Sequence, residues 1–375
     1  MIGIGSRSML FAVSIVVCFL ALQCAPESSP KSTAQSTESL EDSLLVKLEF
    51  AENFSVYHSG NDTIIQVTDG RQVWNSKVSK AAGKGSIEIP LKDVSCLSTS
   101  HLYYFSEIGG LDKVKAVSFA ESLQDEEVKT AVKNGSLLNL TSGSSDYDAE
   151  LVLELQPSVF TTYPFGDDEF ERLKRAGIQT IHFTEYLEKD PLGRAEWVKL
   201  AGFLLGEEEK AEAYFSQIKE SYMRTKLKAL TKKSERPSVI NANGYANKWT
   251  APSGNSLVAH FIKDAGGCYV FENDTSSGNL TLDFERVYEL ANSSDYWAGV
   301  VFSDSVTLET FVGEEQRLND TEVMKAGSVF YCNAQEKDYF GKGILQPHLI
   351  LEDLYQMFYP DSSSYAPHYF ERFKQ

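Results

Sequence analysis

A chain of 375 residues with 42% apolar content is long enough for two lobes and too apolar for a wholly disordered polypeptide. Its 53 acidic and 35 basic residues give a net charge of -18 with no basic stripe, which excludes nucleic-acid binding. Five cysteines without a C-x-x-C spacing write neither a zinc site nor a disulfide framework. Cys268 and Cys332 either pair in an oxidising compartment or stay, with Cys96, as buried thiols.

In chain order, Arg7 and the apolar run Met9 to Leu22 read as a secretion signal, too short for a comfortable membrane span. The run stops at Cys24, and Ala21-Leu22-Gln23-Cys24 has the order of a bacterial lipobox, in which the thiol is acylated and becomes the first mature residue. Gln23 departs from the usual small residue, so an ordinary cleaved signal is the alternative. Residues 1–23 are the expected signal, and their removal takes away only Arg7, leaving a charge of -19. Residues 24–44, rich in Ser, Thr, Pro, Glu and Gln, bury too little apolar surface to fold and read as a tether. One acyl chain on Cys24 anchors weakly.

An N-terminal lobe is expected over 45–205. It opens with an antiparallel ribbon, Phe54 to Tyr57 and Thr63 to Thr68 around the turn Ser59-Gly60-Asn61-Asp62, with a further segment at Val73-Trp74. Val94 to Leu97 is a short strand followed by Ser98-Thr99-Ser100, a polar cluster where parallel sheets bind ligands. The helix His101 to Gly109, strand Ala116 to Phe119, strand Val159 to Thr162, helix Asp167 to Ala176 and strand Thr180 to Phe183 follow, with a helix from Glu196 closed by Gly206. Apolar residues at Ala211, Phe215, Ile218 and Tyr222 share one face of a long helix, Glu207 to Lys233, so 206–235 reads as a connector. The C-terminal lobe, 236–375, begins with the strand at Val239-Ile240 and ends in the helix Pro347 to Phe358.

The two halves repeat a pattern. Each sets one acidic residue, Glu150 or Glu285, at the start of a short amphipathic helix that follows a Gly-terminated helix and precedes an apolar strand. The expected fold is α/β: two lobes with mainly parallel sheets flanked by helices, joined by one long connector helix. Eight Asn-x-Ser/Thr triplets read, beside a bacterial type of lipobox, as polar loop residues.

Taken together, Ser98-Thr99-Ser100-His101-Leu102, Glu150 seven residues before Pro157, Pro191 to Trp197, Gly254-Asn255-Ser256, Asp264-Ala265-Gly266-Gly267 and Glu285 resemble the substrate-binding proteins of ABC importers. The resemblance covers roughly 85–360 and is to the rigid-helix class that carries iron-siderophore complexes, haem or cobalamin. It implies a protein exported and lipid-anchored to a bacterial membrane, facing the periplasm or the cell exterior. Its partners would be a permease dimer, docked through Glu150 and Glu285, and a small metal chelate held between the lobes. Neither cofactor nor catalysis is expected, and G-x-S-x-G, H-E-x-x-H and the P-loop are absent from the sequence. The expected ligand-side residues are Ser98, Thr99, His101, Tyr163 and Phe165 of the first lobe, Arg194 before the connector, and Tyr245, Trp249 and Asp304 of the second, with Ser303 beside it. Each has a competing structural role in loop packing, helix capping or, for Arg194, tying the Pro191-Leu192-Gly193 turn to the next helix. An enzyme, or a surface or signalling lipoprotein on the same fold, is the alternative.

Overall fold

The computed structural model describes residues 44–373, apart from 82, 84, 142–146, 165–166, 233–235, 246–247, 277, 308–314 and 361–363. Cys24, with the expected signal and nearly all of the expected tether, and Phe165 therefore lie outside the described residues.

The chain opens with β1 (Phe54–Ser59), β2 (Asp62–Thr68) and β3 (Val73–Ser79), an antiparallel ribbon that β4 (Ile87–Glu88) extends in parallel. The first lobe then builds a parallel sheet from β5 (Val94–Cys96), β6 (Val114–Val117), β7 (Leu138–Asn139), β8 (Phe160–Thr162) and β9 (Thr180–His182), in the spatial order β7-β6-β5-β8-β9. Around it lie α1 (Thr99–Ser106), α2 (Glu126–Lys133), α3 (Ala149–Leu155) and α4 (Asp167–Arg175). Because successive strands move outward on opposite sides of β5, the sheet has a switch point between β5 and β8, where loops diverge and leave room for a ligand.

The second lobe repeats this plan. Strands β10 (Ser238–Ile240), β13 (Cys268–Tyr269), β15 (Tyr296–Val301) and β16 (Val329–Asn333) are parallel, β17 (Glu371–Arg372) is antiparallel, and the order is β13-β10-β15-β16-β17. Its switch point lies between β10 and β15. A small antiparallel sheet of β11 (Asn243–Tyr245), β12 (Lys248–Pro252) and β14 (Asn279–Leu282) sits beside α8 (Leu257–Asp264) and α9 (Phe284–Ser293).

Between the lobes, α5 (Pro191–Glu196) and α6 (Val198–Leu205) lead into α7 (Glu208–Leu230). The sequence suggests one helix from Glu196, but Asp190 caps Leu192 and Gly193 and Pro191 occupies the first turn, so the helical region starts earlier and bends at Trp197. Gly206 closes α6 with φ +69°, a conformation that costs other residues a Cβ clash. Ala211, Phe215, Ile218 and Tyr222 form the buried stripe of α7, continued by Thr225 and Ala229. At 23 residues this helix spans roughly 35 Å.

The lobes do not have wholly separate cores. One apolar cluster runs from Val56 and Ile65 of the ribbon through Tyr104, Trp197, Phe215 and Tyr222 to Phe261, Leu351 and Phe358. Each lobe adds an outer cluster, around Tyr147 and Phe160 in the first and Trp249 and Trp297 in the second.

The segment Glu49 to Asn53 is held by buried carboxylates. Glu196, fully buried, accepts the backbone N–H groups of Glu49, Phe50 and Ala51 at 2.8 to 3.1 Å and pairs with Lys199 at 3.0 Å. Glu188 accepts those of Glu52 and Asn53 and the Trp197 indole N–H. A Cβ on Gly193 would lie 2.8 Å from the Phe50 carbonyl oxygen, so the close passage of this segment requires glycine.

Cys268 and Cys332 are free. Cys268 starts β13 and Cys332 is the penultimate residue of β16, three strand spacings apart, roughly 14 Å, which is beyond the reach of a disulfide. Cys268 instead donates to Glu272 at 3.4 Å.

Candidate functional site

The C-terminal ends of the parallel strands carry most of the expected residues. After β5, the Ser98 hydroxyl caps α1 by accepting the Ser100 N–H at 3.3 Å, and it also lies 2.9 Å from the Ser100 hydroxyl. Thr99 is half-buried at the first turn of α1. Across the switch point, Tyr163 follows β8, is half-buried, and meets the rings of His101 and Tyr186 edge-on at 5.2 and 5.5 Å. Burial, then the charge of Glu185, raises its phenol above the ordinary range.

His101 stands elsewhere. Its ring has no exposed surface, Nδ1 lies 2.9 Å from the Thr161 hydroxyl, and Nε2 lies 3.6 Å from Glu185. The sequence-based expectation of a ligand-facing histidine is corrected: His101 points into the lobe. Glu185, from the turn Glu185–Leu187, accepts the Ser100 hydroxyl at 2.8 Å. Burial opposes its charge, but His101, Arg194 and that hydroxyl outweigh burial and hold the carboxyl below its ordinary value. A hydrogen-bonded chain thus runs from Ser98 through Ser100 to Glu185, stiffening the loop after β5.

Arg194 lies where the lobes meet. With Pro191 it lines a narrow cavity of about 10 Å³ against Leu257, Phe261, Tyr339, Phe340 and Pro347 of the second lobe, room for about one water. Its carbonyl accepts the Tyr104 hydroxyl at 2.7 Å, while its buried Nε has no hydrogen-bond partner. A buried guanidinium N–H without an acceptor carries a desolvation cost that an incoming anion relieves.

In the second lobe, Asp304 follows β15, is exposed, and accepts the Gln335 amide at 3.0 Å. Ser303 is half-buried beside it. Tyr245 ends β11, and its side chain lies outside the described residues. Trp249 is a second correction: only 2% exposed, it packs 6.0 Å from Trp297 in the outer core, because the inward face of β12 needs a large apolar residue.

Three exposed aromatics are further candidates, two just past strand ends and one, Phe340, in the turn after the helical segment Ala334–Lys337 that follows β16. Phe119 follows β6 in a left-handed conformation (φ 58°) and is 42% exposed; Phe302 follows β15 at 70%; Phe340, beside Tyr339, is 56% exposed. Phe119 and Phe302 read in sequence as last residues of apolar strands. The available signal was that each ends its run next to a polar or small residue, so its ring has no sheet to cover. Each of these rings is exposed rather than part of the core, which leaves its face open to a ligand.

Glu150 and Glu285 occupy matching places. Each is exposed in the first turn of its helix, α3 or α9, two residues after a capping aspartate. Asp148 accepts the Glu150 and Leu151 N–H groups, and Asp283 accepts that of Arg286 at 2.8 Å. Glu150 pairs with Arg172 of its own lobe.

Larger hollows lie on other surfaces, among them one of about 480 Å³ between β3 and β9. One of about 620 Å³ runs along α2 and β7, and one of about 590 Å³ lies at the C-terminal end of α7. Among the described residues no group of three His, Cys, Asp or Glu is disposed to hold a metal ion, and no helix is long and apolar enough to cross a membrane.

Residues 94–336, spanning both switch points, match the model of the periplasmic binding proteins. The chain belongs to that family. It is a family of solute-binding proteins, not of enzymes. Among relatives, an uncharacterized lipoprotein of Methanocaldococcus jannaschii is 28% identical over 287 residues, 74% of this chain and 67% of its own. A periplasmic heme binding protein from Pseudomonas aeruginosa is 17% identical, with a TM-score of 0.59 over 76% of this chain and 99% of its own. The Ceue protein of Helicobacter pylori, solved with Ni(II) bound, is 14% identical, with a TM-score of 0.57 over 79% and 89%. At these identities the solved structures establish the shared fold of a two-lobed periplasmic binding protein.

Proposed function

We propose that this periplasmic binding protein is the lipid-anchored substrate-binding component of an ABC importer, capturing an anionic metal chelate between its lobes and delivering it to a membrane permease. The observation that carries the reading is the meeting of Arg194, its Nε without an acceptor, with the exposed Phe340 at the junction of two lobes whose switch points face loops bearing Phe119, Tyr163 and Phe302. Flat aromatic faces with one placed cation suit a haem, a corrinoid or an iron-siderophore complex. The family, the heme-binding and Ni(II)-bound neighbours and the lipoprotein relative support it.

In this reading Ser98, Thr99, Tyr163, Arg194, Tyr245 and Asp304 remain ligand-side candidates, with Phe165 outside the described residues. Glu150 and Glu285 give a two-point electrostatic contact that orients the protein on the permease dimer. Cys24 carries the lipid.

The test is absorption spectroscopy of the freshly purified protein, followed by titration with haemin, a ferric catecholate siderophore and cobalamin. Saturable one-to-one binding of one of these at micromolar or lower concentration is expected. Absence of saturable binding to all three overturns the chelate assignment.

A further inference from the structure

The asparagine triplets are too many for their composition. Sixty of the 375 residues are Ser or Thr and 14 are Asn, so chance placement yields about two Asn-x-Ser/Thr triplets, whereas eight occur.

The fold divides the eight into two groups. Asn61 is exposed at the tip of the β1–β2 hairpin, with Thr63 half-buried two residues on. Asn134 and Ser136 are exposed just past α2. Asn273 and Thr275 are exposed in the turn after β13, and Asn279 and Thr281 are exposed at alternate positions of the edge strand β14. These four asparagines are exposed at a turn or an edge; Thr63 lies 3.3 Å from the His58 ring nitrogen, and Asn134 accepts the Ser136 N–H at 2.9 Å while the Ser136 hydroxyl donates to the Ala131 carbonyl at 3.3 Å, all exposed contacts within a hairpin or a turn. The other four are engaged. Asn139 donates to Glu121 at 2.7 Å while Thr141 accepts the Phe119 N–H, and half-buried Asn292 donates to the Tyr288 carbonyl at 2.9 Å. Thr321 is fully buried and bonded to the Leu318 carbonyl, which closes the Asn319 triplet, and Asn53 is half-buried beside the core residue Phe54.

We propose that Asn61, Asn134, Asn273 and Asn279 carry N-linked glycans, added after export from a lipid-phosphate-linked oligosaccharide. In the transfer the side-chain amide nitrogen forms a bond to the anomeric carbon of the sugar, and the carbon–oxygen bond to the lipid phosphate breaks. The phosphate leaves with the electron pair, and the amide gives up one of its two protons; nothing is oxidised or reduced. The sugars would cover the hairpin tip, the end of α2 and the outer side of β14 with bulky, solubilising groups. The inference rests on the export reading above, since the sugar donor and its transferase act on exported chains.

The test is peptide mass spectrometry on the full-length protein purified from membranes of its native host, alongside protease digestion of intact protoplasts. Saccharide mass increments are expected on the four open asparagines and absent from Asn139 and Asn292. Each of N61Q, N134Q, N273Q and N279Q should lose one increment and migrate faster on denaturing gels. A protein cut by external protease yet bare at all four positions overturns the glycans while leaving export intact. A protein shielded from protease until the protoplasts are lysed overturns export, and the glycans with it.

Discussion

The Lys342 ammonium, on the second-lobe turn Lys342–Leu345, lies 2.6 Å from the Asp125 carboxylate at the start of α2 in the first lobe. It also lies 3.2 Å from Glu107, and one residue cluster away Tyr103 donates to Asp338. The two lobes are thus bridged by charge as well as by core. Burial raises the Asp125 carboxyl, but the Lys342 ammonium and the Val128 and Glu127 N–H groups pull it below its ordinary value. Burial lowers Lys342, and its two carboxylates raise it above its ordinary value by more.

The bridge stabilises the fold above the ordinary Asp range, near pH 4, and fades as pH falls through the lowered Asp125 value; at the alkaline end it fades as pH rises through the raised Lys342 value. Lys342→Met should therefore cost about 1–3 kcal/mol at pH 7, between the exposed and buried limits. Paired thermal melts at pH 7 and pH 3 check this: the deficit should shrink at pH 3, and an equal deficit at both would rule out an electrostatic origin.

Arg194→Met should weaken binding of an anionic chelate by about 10- to 150-fold, the range of a hydrogen bond to a charged group. Fluorescence titration measures it, with Arg194→Lys and a circular dichroism spectrum as controls for folding. An unchanged affinity in a folded Met variant would remove Arg194 from the ligand side.

Replacing both Glu150 and Glu285 by Ala should leave ligand affinity nearly unchanged while weakening transport or complex formation with the permease. Exposed ion pairs are worth about 0 to 1 kcal/mol each, so the double variant is the informative one. Wild-type uptake by the double variant, or loss of ligand binding instead, contradicts the docking role.

Glu196→Ala should destabilise the protein by roughly 3–5 kcal/mol, because three backbone N–H groups and the largely buried Lys199 lose their common acceptor. Urea denaturation checks the size, and limited proteolysis should cut near residues 44–53 first.

Cys24→Ser should move the mature protein from the membrane to the soluble fraction. Metabolic labelling with a fatty acid should mark the wild type alone, and an unlabelled wild type rules out the anchor.

What the sequence made legible follows periodicity and caps. The 4-3-4 spacing at Ala211, Phe215, Ile218 and Tyr222 reports a helix face directly, and that face is buried. Glu150 and Glu285 were legible as a pair because the aspartates ahead of them, Asp148 and Asp283, end the preceding loops in the same way. Burial was harder to read. His101 and Trp249 carry chemistry suited to a ligand, and only the packing of Phe183 and Glu185 around one, and of Trp297 against the other, turns them inward. Phe302 was hidden for the converse reason: an apolar run does not mark where its neighbouring strand stops, and β15 ends at Val301. Length alone suggested two lobes but not how they join, and the apolar faces of α7 and the last helix, Pro347–Phe358, join them through one shared cluster.

The carboxylates of Glu196 and Glu188 hold five consecutive peptide N–H groups, Glu49 to Asn53, against the root of the connector. A mechanical load entering the chain ahead of residue 44 therefore passes the Leu44–Tyr57 bridge and the Leu45 N–H bond to the Val56 carbonyl, and then meets these five N–H groups beside α5 and α7. A single-molecule pull from the N-terminus should register a high-force event at this clamp, whose Glu196 stands on the same short helix that carries Arg194.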